Sequence, residues 1–398
     1  MTGYRRLAIC FYLATMAALH LGLAWNSRRL IREGYSDFAI FYTAGRIVRD
    51  GFGPQLYDPD LQYAVQRAFA PRVAIRQGPL PYNHPPFEAL LFAPFTLLSY
   101  PRAFLAFDVL NVAMLIASLA ILREHLRSLA GFSLAYWILA ALAFFPIAIT
   151  LIQGQDAILM LFLFVLSFSA LQRRRLLLAG LWLGLASFKP QMVLPFLILL
   201  VVMRGGTILM GYVLAIGGLA MVSLAGVGWQ SLLAYPRYAL RLEMAGARAG
   251  ILPTDMPNLR GLVSLFLVPG PAATTVTVLT SAVLLWIAVR RCWNSRPKDF
   301  SWKISLAVLA TVLVSYHALS HDLTLLLLPI LLVANYLLSG EANHGLKRWL
   351  GFCLALLFFS PAYLLLGLVY HRLAFAAVVL LVWFAGLSWE GKESPVKA

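Results

Sequence analysis

The sequence predicts an all-α protein that crosses a membrane many times. Of its 398 residues, 61% are hydrophobic and only 12% are charged, which is too little polar surface to cover a soluble protein of this size. Apolar runs recur from end to end, and a run of about 20 residues spans the ~30 Å hydrocarbon core of a bilayer. We therefore expect a single integral membrane domain over residues 1–398.

The formal net charge of +16 indicates an orientation in the membrane and not a nucleic-acid-binding function. Basic residues gather on the cytoplasmic side of membrane proteins and face anionic lipids there. Arg5 and Arg6 precede the first apolar run, at residues 7–25, so we expect the N-terminus in the cytoplasm. Three consecutive arginines at 173–175 and the basic cluster around 290–303 fall on the same side. Membrane lipids are therefore expected partners, and nucleic acids are not.

We predict about twelve transmembrane helices, as in a multi-pass protein of a bacterial-type inner (plasma) membrane. Both termini are then cytoplasmic, with residues 390–398 as a short tail, and the long loops 27–101 and 228–270 lie outside. The predicted segments are residues 7–25, 102–122, 132–151, 155–171, 176–189, 190–203, 206–227, 271–290, 302–317, 321–338, 348–368 and 372–389.

The first outer loop has predicted structure of its own. Residues 36–49 favour a helix capped by Ser36 or Asp37, and Asp58-Pro59 starts a second, amphipathic helix that we expect at the membrane surface. Residues 86–99 are apolar but too short to span the bilayer, so we expect a re-entrant or interfacial segment there.

The stretch 176–203 is interrupted in its middle by Lys189-Pro190-Gln191. Two short helices with Lys189 at their tip fit the charge pattern, and one long kinked helix is the rival. Lysine and proline at this depth are tolerated where they line a polar or protein-walled cavity.

In this topology the polar interruptions fall on the outer side, so we expect one extracytoplasmic cavity. Asp37 is either a catalytic base or a helix cap, and a cap is also the ordinary role of Asp156. A histidine pair four residues apart is weak evidence for a metal, so we expect neither a metal nor a cofactor. The residues expected at this cavity are Asp37, His84, Gln153, Gln155, Asp156, Lys189, Gln191, Arg260, His317, His321 and Asp322.

Several motifs follow one another along the chain in an order typical of a known family. They are Tyr35-Ser36-Asp37-Phe38 with Tyr42 and Gly45, Tyr82-Asn83-His84-Pro85-Pro86-Phe87, Gln153-Gly154-Gln155 and Phe188-Lys189-Pro190-Gln191. With them the chain resembles glycosyltransferase family 87, the polyprenyl-phosphate-mannose-dependent mannosyltransferase-like branch of the GT-C superfamily, over about residues 30–335. At His84 it departs from the family pattern, which often has an aromatic residue there.

The resemblance implies a GT-C-like helical bundle and an inverting transfer of sugar, mannose-like hexose above all, from polyprenyl-phosphate-sugar to a lipid or glycan acceptor. It puts Asp37 in the position of the general base. The leaving phosphate needs cationic partners, for which we expect Lys189, His317, His321 and Arg260. The expected substrate-binding residues are Tyr42, His84, Gln153, Gln155, Asp156, Gln191 and Asp322.

A lipid or sugar transporter or flippase without bond-forming chemistry is the alternative. It also predicts many helices with broken segments at depth. A carrier needs access from both faces, whereas the polar groups of this sequence gather on one.

Overall fold

The computed structural model describes residues 3–73, 80–246, 251–294, 300–339 and 344–390. These residues form nineteen α-helices, one π-helical stretch and several 3₁₀ turns, and they contain no β-strand. The helices are α1 Gly3–Glu33, α2 Phe38–Arg49, α3 Pro59–Phe69, α4 Pro86–Phe92, α5 Tyr100–His125, α6 Leu134–Leu142, α7 Phe145–Gln153, α8 Ala157–Gln172, α9 Leu176–Leu185, α10 Pro190–Arg204, α11 Thr207–Gly226, α12 Trp229–Ala245, α13 Leu259–Ser264, α14 Pro271–Asn294, α15 Phe300–Val314, α16 Leu327–Leu338, α17 His344–Leu357, α18 Ser360–Tyr363 and α19 Ala376–Glu390.

The all-α membrane class is confirmed, while the number of crossings stays a prediction. Among the described residues, five helical stretches are long and apolar enough to cross a membrane, or up to seven if each of two bent pairs is one span. The bent pairs are α6 with α7, at 72°, and α17 with the segment that follows it, at 56°. Several further apolar helices have only 10 to 17 residues. The sidedness of the loops and termini likewise stays a prediction, and residues 391–398 of the predicted tail lie outside the described part.

The first helix is longer than its apolar run. It continues from Trp25 through Glu33, where Arg29 and Glu33 form an i,i+4 ion pair of 3.0 Å on its surface. Gly34 then ends the helix with a φ of +93°, and its N–H donates to the carbonyl of Ile31. The predicted first outer loop therefore begins as a continuation of α1.

The stretch 176–203 forms two helices that run in opposite directions. Gly180 of α9 lies against Ile208 and Tyr212 of α11, and Gly184, one turn later, lies against Ala215. Residue numbers along the contact rise in the same direction on both helices, so α9 and α11 are parallel. Because α10 connects the end of α9 to the start of α11, it must run in the opposite direction. The hairpin prediction is thus confirmed against the single kinked helix. At 10 and 15 residues, the two helices are about 15 and 22 Å long, shorter than a bilayer core.

The segment predicted as the first outer loop packs as a small aromatic body against the start of α5. Phe38 is fully buried at its centre, with ring contacts to Phe92 and Phe107 among others. Gly45 lets α2 approach the end of α4, because a Cβ there would meet the backbone of Phe92. This packing fixes the start of α2, and with it Asp37, relative to the transmembrane helices.

The contact between α9 and α11 yields a stability prediction. Gly180→Ala would place its Cβ against the Ile208 carbonyl oxygen, so we expect it to destabilise the protein by about 1–3 kcal/mol. Gly217→Ala is the matched control, because Gly217 lies on α11 and no atom lies within 4 Å of the point that its new Cβ would occupy. Thermal unfolding midpoints in detergent measure both. Equal midpoints for the two variants would contradict the close contact.

Candidate active site

A cavity of about 330 Å³ opens between the first outer loop, the α9–α10 hairpin and the segment before α16. Its walls come from parts of the chain that are far apart in sequence. Of the twelve residues predicted for the site, eight line this cavity, and they are Asp37, His84, Gln155, Lys189, Gln191, His317, His321 and Asp322.

Asp37 stands at the N-cap position of α2, but its side chain makes no capping hydrogen bond. Its Oδ2 instead accepts a hydrogen bond of 2.9 Å from Nε2 of Gln155. The residue is half-buried and lines the cavity. The carboxylate is therefore directed at the site, although the backbone of Asp37 begins a helix.

The turn at Gln153-Gly154-Gln155 brings Gln155 to Asp37. Gly154 ends α7 in the left-handed region with a φ of +63°, which glycine adopts without strain. A Cβ on Gly154 would lie 2.8 Å from side-chain atoms of Phe38 and Phe104. Glycine is thus required at this position for two reasons. The turn needs a left-handed backbone, and Phe38, the residue after Asp37, lies too close for a side chain.

Lys189 lies at the tip of the hairpin between two carboxylates. Its Nζ is 2.6 Å from Oδ1 of Asp156 and 2.7 Å from Oδ1 of Asp322, and all three side chains are buried. Oδ2 of Asp322 also accepts from the backbone N–H of Leu319 at 2.8 Å. The ion triad joins the start of α8, the hairpin tip and the 3₁₀ turn His321–Leu326. Asp156 is therefore a buried ion-pair partner, and its side chain makes no capping hydrogen bond.

His84 forms another wall of the cavity, at the end of an extended segment that α3 holds in place. Gln66 bonds both backbone groups of Leu80, at 2.8 and 2.9 Å, and Gln62 accepts from the N–H of Tyr82. Asp58 caps α3 as predicted, accepting from the N–H of Asp60 at 2.9 Å. The amphipathic helix therefore packs inward through two buried glutamines, a role that its apolar pattern does not indicate.

The side chain of His84 is itself held by carboxylates. Its Nδ1 lies 2.7 Å from Oε2 of Glu88 and 3.5 Å from Oδ2 of Asp156. The donor atoms of these three residues lie within 4.8 Å of one another, which makes them the one candidate metal-binding group in the described part of the chain. However, Lys189 already places a cation against Asp156, and His84 is an ion-pair partner of Glu88.

His317 and Arg260 meet at a carboxylate of α12. Glu243 lies 2.7 Å from Nδ1 of His317 and 2.7 Å from a guanidinium nitrogen of Arg260, and that guanidinium stacks on Tyr316. Burial alone would raise the pKa of Glu243, but the hydrogen bonds and charges of His317 and Arg260 outweigh it and lower the pKa. These contacts tie the second outer loop to the cavity wall.

Four predicted residues do not line the cavity. Gln153 and Asp156 lie behind it, where Oε1 of Gln153 is 3.2 Å from Nδ1 of His321. Arg260 contacts the wall through Glu243. Tyr42 is buried in the aromatic body, and its hydroxyl donates to the carbonyl of Leu98 at 2.9 Å. The structure thus gives Tyr42 a packing role away from the other site residues.

Sequence reasoning missed two acidic residues of the site, Glu88 and Glu243. Glu88 is visible as the one acid within the apolar segment 86–99, and a lone acid in such a segment requires a partner. Glu243 has no such signal, because it lies near the end of a helix that also carries Arg237 and Arg241. Tyr235 and Asp255 also line the cavity from the second outer loop.

The ion triad yields a second prediction. Lys189→Met leaves Asp156 and Asp322 buried without their cation, so we expect a loss of about 3–5 kcal/mol in stability. The control is Arg173→Met, which breaks the exposed pair of Arg173 with Glu124 and should cost less than about 1 kcal/mol. Denaturation in detergent compares the variants, and a Lys189→Met protein as stable as the control would contradict the triad.

Comparison with known proteins gives one family. The sequence model described as glycosyltransferase family 87 matches residues 82–316. The matched region contains His84, the Gln153–Asp156 turn, Lys189 and Arg260, and it begins after Asp37. Comparisons with curated proteins and with solved structures give no match.

Proposed function

Because this chain belongs to glycosyltransferase family 87, we propose that it transfers a sugar from a polyprenyl-phosphate-linked donor to a lipid or glycan acceptor. The sugar is a mannose-like hexose, and transfer takes place on the extracytoplasmic side of a bacterial-type inner membrane. The observation that carries the proposal is the cavity itself, where Asp37 shares the walls with Lys189, His317 and His321 and is held by Gln155.

Asp37 is the general base in this scheme. Gln155 binds Oδ2, which orients the carboxylate and leaves Oδ1 to take the proton of the acceptor hydroxyl. As that proton moves, the acceptor oxygen attacks the anomeric carbon, and the bond from this carbon to the phosphate oxygen breaks with both its electrons. The attack comes from the face opposite the leaving group, so the anomeric configuration inverts.

The leaving polyprenyl phosphate needs hydrogen-bond donors and positive charge as its own charge develops. Lys189 donates a hydrogen bond to Asp322 and forms an ion pair with Asp156, so its ammonium group retains N–H groups for a phosphate oxygen. His321 and His317 line the same cavity. Arg260 acts indirectly, because it fixes Glu243, which in turn holds His317.

The remaining predicted residues divide by position. Gln191, Asp322 and His84 line the cavity and are available for substrate hydroxyl groups, whereas Gln153 and Asp156 support His321 and Lys189 from behind. The scheme uses no metal and no cofactor.

The function prediction concerns Asp37→Asn. The amide keeps the shape but cannot accept a proton, so we expect transfer to fall by about 10²- to 10⁴-fold while folding is retained. The assay supplies the protein in nanodiscs with polyprenyl-phosphate-[¹⁴C]mannose and octyl α-mannoside, and it measures labelled product. The matched control is Asp60→Asn, an exposed acid on α3, which should transfer at the wild-type rate.

Two results would contradict the proposal. Full activity in folded Asp37→Asn would remove Asp37 as the base. If the labelled donor moves across a liposome membrane and no sugar donor gives a product with a new glycosidic bond, the result would favour the transporter.

A further inference from the structure

Glu88 is a buried ionisable residue that the mechanism above does not use. It lies on α4 with 1% of its surface exposed, and Oε2 is 2.7 Å from Nδ1 of His84. A second carboxylate, that of Asp156, lies 3.5 Å from the same nitrogen. Burying a carboxylate is costly unless it is paired, and His84 forms an ion pair with Glu88 in this structure.

The contact leaves one edge of the His84 ring for the cavity. His84 lines the cavity, whereas Glu88 and Asp156 do not, so the Nδ1 edge points away from it and Nε2 is the remaining polar atom of the ring. Phe41 packs against the ring at 5.0 Å between centroids, and Tyr82 stacks on it at 5.7 Å. The ring is therefore held by Phe41, by Tyr82 and by the contact at its Nδ1 edge.

The carboxylates around His84 favour its protonated form. The ionisable groups that face it are Glu88, Asp156 and Lys189. Burial and Lys189 lower the pKa of His84, but Glu88 and Asp156 outweigh them and raise it above its usual value. Because Nδ1 lies against Glu88, Nε2 is the ring nitrogen available to a substrate hydroxyl group in the cavity.

His84 also lies close to the proposed base. Phe41, which contacts the ring, follows Asp37 by four residues on α2, and one helical turn advances only about 5.4 Å. Asp37 and His84 both line the cavity. A substrate hydroxyl next to the reacting one would be within reach of the histidine.

We propose that Glu88 is a positioning residue, which holds His84 so that its Nε2 forms a hydrogen bond with a hydroxyl group of the bound substrate. This inference rests on the proposed function, because a sugar donor and a hydroxylated acceptor are the molecules that bring such an oxygen to Asp37. The hydroxyl belongs to one of them, and the two Michaelis constants distinguish the sources.

The kinetic test uses Glu88→Gln, His84→Phe and the double variant with polyprenyl-phosphate-mannose and octyl α-mannoside. We expect each single variant to raise the KM of the same substrate by about tenfold, with kcat changed less, as for one lost hydrogen bond. In the His84→Phe background, Glu88→Gln should have no further effect. Equal losses in both backgrounds, or an unchanged KM in folded Glu88→Gln, would overturn the proposal.

A second test does not depend on turnover. In ¹⁵N-histidine-labelled protein, the imidazole signals of His84 are those that disappear in His84→Phe. They should titrate at a higher pH in the wild type than in Glu88→Gln. Glu88→Asp should restore part of this difference in titration pH. Glu124→Gln, at an exposed pair with Arg173, is the control and should leave them unchanged. Identical titrations in wild type and Glu88→Gln would overturn the pairing.

The two tests fail separately. If the wild type transfers no sugar with any donor, the proposed function fails, while the titration still decides whether Glu88 controls His84. A stoichiometric metal in the purified protein that is lost in Glu88→Gln would also overturn the inference, since His84, Glu88 and Asp156 would then be ligands. If Glu88→Gln does not fold, Glu88→Asp replaces it in both tests. The carboxylate of Glu88→Asp is one methylene shorter, so a titration and a KM equal to those of the wild type would count against positioning.

Discussion

The site depends on the position of Lys189 between Asp156 and Asp322. Three elements that are distant in sequence, the start of α8, the tip of the α9–α10 hairpin and the turn before α16, each contribute one buried charge. Removing Lys189 would leave two buried carboxylates without their cation, which is strongly destabilising. The triad therefore holds together one wall of the cavity, and the same Asp156 extends the network to His84 and Glu88.

Much of this arrangement is predictable from the sequence, because local rules and membrane physics constrain it. A lysine next to a proline in the middle of an apolar stretch predicts a break, and α9 and α10 separate there. Asp58 followed by proline predicts a capped helix, and α3 begins as expected. The convergence of eight predicted residues on one cavity follows from the expectation that polar interruptions gather on one side.

Other features depend on tertiary contacts that no local pattern encodes. The partners of Lys189 lie at positions 156 and 322, so the sequence around 189 indicates a cavity ligand without showing what balances its charge. Tyr42 belongs to the same motif as Asp37, yet its position on α2 directs its ring toward the aromatic body, where it packs against Tyr100. The count of crossings is undetermined for a related reason, because short and bent apolar helices can either span or line a protein-walled cavity.

The central claim is that Asp37 and the phosphate-binding groups act from opposite sides of the anomeric carbon. A structure with a non-hydrolysable polyprenyl-phosphonate mannose analogue would test it most directly. We predict the phosphonate beside Lys189 and His321, with Asp37 on the opposite face of the sugar and space for an acceptor oxygen about 3–3.5 Å from the anomeric carbon. A sugar bound outside this cavity, or Asp37 on the same face as the phosphonate, would contradict the account.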